Sequence, residues 1–145
     1  MKIFYLVLLS VIMFSACASI DQSLLLKKQT TVEVRDVSKE IVISGSIKEN
    51  TEIAKRIIEG TIDELSRRSI EVVAENTPGA AKVKYNIRNV SKGFFRYTVK
   101  YEVTLETPDG KIIFTDSDEM DESDIDEVFG MIARKTASLV SKSFK

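Results

Sequence analysis

Hydrophobic and polar positions along the chain follow two periods, and the switches between them mark out its elements. Thr31-Val-Glu-Val-Arg35 and Glu40-Ile-Val-Ile-Ser44 are short and rich in β-branched residues, which predicts two strands. Ile53, Ile57, Ile58, Ile62 and Leu65 then recur at helical spacing on one face, with Lys55, Arg56, Glu59 and Asp63 on the other. Asn50 or Thr51 is the expected helix cap, because their side chains accept from free backbone N–H groups. The helix is expected to end near Arg67-Arg68, where positive charge suits its dipole. Ser69–Val73 reads as a return strand, making a parallel, right-handed strand–helix–strand crossover.

Period two takes over after the turn Glu75-Asn-Thr-Pro-Gly79. Val83, Tyr85 and Ile87 share one face, and so do Tyr97, Val99, Tyr101, Val103 and Leu105. The alternate positions carry Lys82, Lys84, Arg88, Arg96, Lys100, Glu102 and Glu106, so these strands are expected to be antiparallel with one buried and one wet face. Thr107-Pro-Asp-Gly110 is a turn: Pro presets φ at its first corner and Gly permits positive φ after it. It joins the long strand to a short partner, Lys111–Thr115. A last helix is expected from a Ser123 cap, with Ile125, Val128, Phe129, Ile132, Leu139 and Val140 on its apolar face and Ala133 and Thr136 in line. Each element has one apolar side to bury. The predicted fold is α/β (α+β): a two-layer sandwich in which two helices cover one face of a mixed, mostly antiparallel sheet.

The segment ahead of this domain has a different character. Lys2 precedes an uncharged apolar run from Ile3 to Phe14, then small residues, then Cys17. That is the layout of a secretory signal peptide. Phe14-Ser-Ala-Cys17 resembles the lipobox of bacterial lipoproteins, with Phe14 where the family has Leu. The resemblance implies that residues 1–16 are removed and that Cys17 is acylated on its thiol and new amino terminus. It also implies sorting to the outer membrane, since Ala18 rather than Asp follows the Cys. Two other readings of the same residues are an uncleaved anchor helix, for which Ile3–Ile20 just suffices in length, and an ordinary cleaved signal in which Cys17 has no role. The expected organisation is signal peptide 1–16, lipidated Cys and tether 17–30, and one domain over 31–145. Within the tether, Leu24-Leu25-Leu26 is expected to pack on the domain or begin a strand.

Composition narrows the chemistry sharply. The chain has no His and a single Cys. Internal disulfides, Cys/His zinc sites, Cys-His dyads and Ser-His-Asp triads are all excluded. Carboxylate pairs or a Ser-Lys pair remain, yet no spacing points to one, and neither an enzymatic activity nor a cofactor is expected. Losing Lys2 with the signal leaves 20 basic residues against 22 acidic, which gives no reason to expect nucleic acid as a partner.

Three stretches invite a functional reading, each beside a plainer one. Asp116 to Glu127 holds eight carboxylates; it would suit a divalent cation, or be a solvated acidic loop that caps the last helix. Asn89–Arg96 sets Phe94 and Phe95 beside Lys92 and Arg96, a composition suited to a protein interface or an anionic glycolipid. The plainer reading is hairpin packing, with one of the two Phe turned inward. Lys82, Lys84, Arg88, Arg96 and Lys100 would form a basic patch, or else ordinary surface charge alternating with acids.

Beyond the lipobox, the element order is similar to that of small outer-membrane lipoproteins such as the lipopolysaccharide-assembly lipoprotein LptE. The matching parts are the helix Glu52–Arg68, the following Ile70-Glu-Val-Val73, and the pair Tyr97–Leu105 and Lys111–Phe114 around Asp109-Gly110. No functional residue carries over beyond Cys17. The expectation is a non-catalytic envelope lipoprotein, held at the membrane by acyl chains and assisting an envelope protein complex. The alternative is a module that binds lipopolysaccharide or cell-wall glycan through Lys92, Phe94, Phe95 and Arg96.

Overall fold

The computed structural model describes residues 18–45, 47 and 52–145. Cys17, the expected signal peptide 1–16 and the candidate caps Asn50 and Thr51 lie outside the described residues. The elements are β1 (Val32–Asp36), β2 (Val42–Ser44), α1 (Ile53–Arg67), β3 (Ala81–Lys92), β4 (Tyr97–Glu106), β5 (Ile112–Glu122) and α2 (Ile125–Ser141). They form the expected two-layer α/β sandwich, a five-stranded mixed sheet with two helices packed on it and on each other.

β3 organises the sheet. β1 and β2 both run parallel to it along one edge, one after the other, and β4 and β5 follow antiparallel on its other side. The two short strands behave as one interrupted strand. Where they part, Val37 N–H donates to the Tyr85 carbonyl and Ile87 N–H donates to Ser38 Oγ. A bulge at Arg88 resets the alternation, so that Val83, Tyr85 and Ile87 before it and Val90 after it all face the core. On β4 the inward set Val99, Tyr101, Val103 and Leu105 is buried as expected.

The helices bury the faces the periodicity marked. Ile53, Ile57 and Leu65 of α1 are buried with Thr61, and Val128, Phe129, Ile132, Ala133 and Val140 of α2 with Thr136. α2 is capped one residue later than expected: Asp124, not Ser123, accepts from the Asp126 N–H. The Thr107–Gly110 turn closes as expected, with Gly110 at φ +90°.

Three expectations change. Ser69–Val73 makes one parallel bridge, Val32 with Val72, and is not a strand. The crossover from β1 through α1 lands on β3, leaving this segment on the outer edge of β1. Secondly, β5 continues to Glu122, so most of the acidic run is strand and not loop. Thirdly, Ala18–Thr30 lies against the domain. Asp21 N–H donates to the Ile113 carbonyl, Leu26 N–H to that of Ser143, and Lys145 N–H back to Leu26. The packing expected of Leu24–Leu26 is found here: Leu26 is buried, and Leu24 packs on the core with Ile20.

This topology gives the molecule two ends. The starts of β1, β3 and β5, the end of β4 and the C-termini of both helices gather at one end, with residues 18–30. The β3–β4 turn and the β5–α2 junction stand at the other, separated by the length of β4, roughly 30 Å for its ten residues.

Candidate binding surface

The β3–β4 turn carries all four predicted site residues of the domain. Gly93 N–H donates to the Arg96 carbonyl at 2.8 Å, closing the hairpin and lifting the two residues between them off the sheet. Phe94 is 96% exposed and Phe95 80%, and their rings meet edge to face with centroids 5.2 Å apart. The expectation that one of them turns inward is corrected: strand alternation ends at Lys92, so neither ring is obliged to enter the core. The paired rings are the largest exposed apolar groups among the described residues, the next being Ile112 and Val42. Lys92 Nζ sits over the Tyr97 ring, 5.3 Å from its centroid, and Arg96 reaches Asp121 at 3.2 Å. The flank of the tip is a close backbone approach. Gly45, at φ +92°, would place a Cβ 2.8 Å from the Lys92 carbonyl, so only glycine fits where β2 ends.

The basic stripe is not a basic patch. Lys84 pairs with Glu106 at 2.9 Å, Arg88 with Glu102 at 3.1 Å, and Lys100 with Glu119 at 3.8 Å. With Arg96 on Asp121, four of its five cations face carboxylates, which is ordinary surface charge.

The acidic run is partitioned by the pleat of β5 and by α2. Phe114, Asp116, Asp118 and Met120 point to the helix side, while Thr115, Ser117, Glu119 and Asp121 are exposed. Asp116 is only 3% exposed, with Lys135 Nζ of α2 at 3.0 Å; Lys135 also meets Asp118. Asp126 pairs with Arg56 and Asp124 caps α2, so the carboxylates are shared among separate cations and a helix end. Among the described residues no group of three metal-ligating side chains comes together.

Asp116 and Lys135 border a buried polar cluster that sequence reasoning missed. Tyr85, fully buried, contacts Thr61 Oγ1 at 2.7 Å, and Thr61 donates to the Ile57 carbonyl. Tyr101 lies beside Tyr85, with ring centroids 6.4 Å apart. The signal was present: Phe114, Asp116, Asp118 and Met120 alternate at period two straight through the acidic run.

Burial raises both tyrosine hydroxyls above the ordinary phenol range, with the Asp116 charge adding to it. Burial alone would lower Lys135, but its hydrogen bonds to Asp118 and Asp116 outweigh this and hold its pKa above the usual lysine value. All three groups hold their proton more tightly folded than unfolded. Their stabilisation is complete below the unfolded values, near pH 10, and is lost as pH rises through the higher folded ones. Urea unfolding should therefore give a flat stability through neutral pH that falls above about pH 10. Tyr85→Phe should make that fall shallower, and an unchanged slope would remove Tyr85 from the explanation.

Comparison with known proteins bears on the fold. No protein-family model matches the chain, and no curated protein matches it in sequence. The PelC dodecamer of Paraburkholderia phytofirmans superposes with a TM-score of 0.60 at 12% identity, over 85% of this chain and 93% of that one. An uncharacterized protein gives 0.50 at 11% identity, over 82% and 92%. The lipoprotein GNA1162 of Neisseria meningitidis gives 0.45 at 11% identity, over 77% and 99%. The two higher scores show a shared sandwich fold. Among the described residues no helix is long and apolar enough to cross a membrane.

Proposed function

We propose that this chain is a lipid-anchored, non-catalytic protein of the cell envelope, sited at the outer membrane, that serves as a binding or assembly accessory to an envelope protein complex. The observation that carries the reading is the placement of Phe94 and Phe95. Two exposed rings stand at the end of the sheet remote from the point where the chain leads back to Cys17. An anchor at one end and an apolar tip at the other suit a domain that holds a contact surface away from its own membrane. Aromatic residues, Phe among them, are enriched in protein interfaces relative to the rest of the surface. The dodecameric state of PelC, which has this fold, supports an assembly role.

The glycolipid alternative loses its footing in the ion pairs. Arg96 is paired with Asp121, Lys92 is engaged by Tyr97, and Glu122 stands opposite Tyr97 on β5, so the tip offers little net charge to an anion.

A photo-crosslinker at position 95 of the full chain, activated in intact cells, tests both readings. The expected product is one discrete protein adduct, at least tenfold weaker when Phe94→Ser is added, with the thermal midpoint unchanged because neither ring is in the core. Adducts to lipopolysaccharide alone, or an adduct indifferent to Phe94→Ser, would sink the protein-partner reading.

A further inference from the structure

The end of the domain nearest Cys17 carries a cleft of about 650 Å³ between residues 28–30, the segment after α1 and the C-terminal turn. Lys28, Arg68 and Lys145 line it with one acidic side chain, Glu71, and the flanks of Ile70 and Phe144. The three cations are exposed and, unlike Lys84, Arg88, Arg96 and Lys100 of the sheet, none forms an ion pair with a described residue. We infer that this basic cleft receives the phosphate headgroups of anionic phospholipids in the membrane that holds the Cys17 acyl chains.

The inference rests on the anchored reading above and follows from reach and charge. Asp21 is fixed to β5 through Ile113, and Leu26 to the C-terminal turn through Ser143 and Lys145. Cys17 precedes Asp21 by four residues, which span at most roughly 14 Å when extended. An acylated Cys17 therefore brings this end of the domain to within about one or two Debye lengths of the headgroups. From there the cleft can reach the surface, and each cation that touches anionic headgroups adds about fivefold to surface occupancy. The apolar flanks of Ile70 and Phe144 suit the boundary between headgroup and chain. Such contact would set the tilt of the domain, so that the Phe94–Phe95 tip projects from the membrane. Arg68 also ends α1, where a cation complements the helix dipole; Lys28 and Lys145 are not helical residues and have no such duty.

The test uses the full chain, processed in cells, extracted in detergent and reconstituted into phosphatidylcholine vesicles with or without phosphatidylglycerol. Amine-reactive labelling of Lys28 and Lys145 is read against Lys100 on the sheet. The expected result is about fivefold protection of both on anionic vesicles only, reversed by high salt. Equal labelling on both vesicles, with the protein floating on both, overturns the inference while leaving the anchor intact. Protection on neutral vesicles by added inorganic phosphate overturns it too, by making the cleft a small-anion site. Failure of the anchor reads differently, as a chain that does not float with neutral vesicles. In that case floating on anionic vesicles, abolished by combined Lys28→Gln, Arg68→Gln and Lys145→Gln, still supports the cleft, and floating on neither overturns it.

Discussion

Cys17→Ser should abolish acylation of the chain and leave it longer by the sixteen residues that the lipobox resemblance assigns to the signal peptide. Palmitate labelling in growing cells should fall to background, and the retained protein should run above the processed form and fractionate with the cytoplasmic membrane. The magnitude is large because anchoring is steep in chain number. Each buried CH₂ contributes about 0.8 kcal/mol, one acyl chain binds only marginally, and two or more hold firmly. The same substitution separates the three readings of the N-terminal segment. An uncleaved anchor helix would show neither a label to lose nor a change in length. An ordinary cleaved signal would show no label, and cleavage indifferent to Ser at position 17. Only an acylated Cys couples loss of label to loss of processing.

Strands β3 and β4 were legible because alternation reports burial directly where one face is wet and the other packed. Val83, Tyr85, Ile87, Val99, Tyr101, Val103 and Leu105 all lie where that rule puts them. The helices were legible for the same reason at period 3.6. Ser69–Val73 misled because β-branched composition reports a tendency to extend and says nothing of how far a segment stays in register with its neighbour. Only Val32 bridges to it on the outer edge of β1, while β3 pairs with the whole of β1 on the inner edge.

β5 misled in the opposite sense. Its carboxylates disguised an ordinary strand, because what makes them tolerable lies elsewhere in the chain: Lys100 on β4 for Glu119, Lys135 on α2 for Asp116 and Asp118. Partner charges brought together by tertiary structure leave no local mark. The tip was half legible. Composition singled out Phe94 and Phe95, but their exposure depends on the hairpin closing at Gly93 and Arg96, which frees both from the alternation of the strand. The proposed role of Cys17 is the reverse case, carried by sequence alone.

Lys135→Met should destabilise the domain by about 3 kcal/mol at pH 7, the low end for breaking a buried ion pair, because the lysine side chain is itself 34% exposed. Methionine keeps the length of the side chain that α2 extends towards β5 while removing the charge. The cost arises at Asp116, whose carboxylate is 3% exposed and would be left without its cation. Adding Asp116→Asn to Lys135→Met should recover about half of the loss at pH 7, since a neutral amide has no ionic desolvation cost. A double-mutant cycle by urea unfolding isolates the coupling. If Asp116 belonged to a solvated acidic loop, Lys135→Met would change stability by less than about 0.5 kcal/mol, with no rescue by Asp116→Asn. That result would overturn the placement of the acidic run beneath α2.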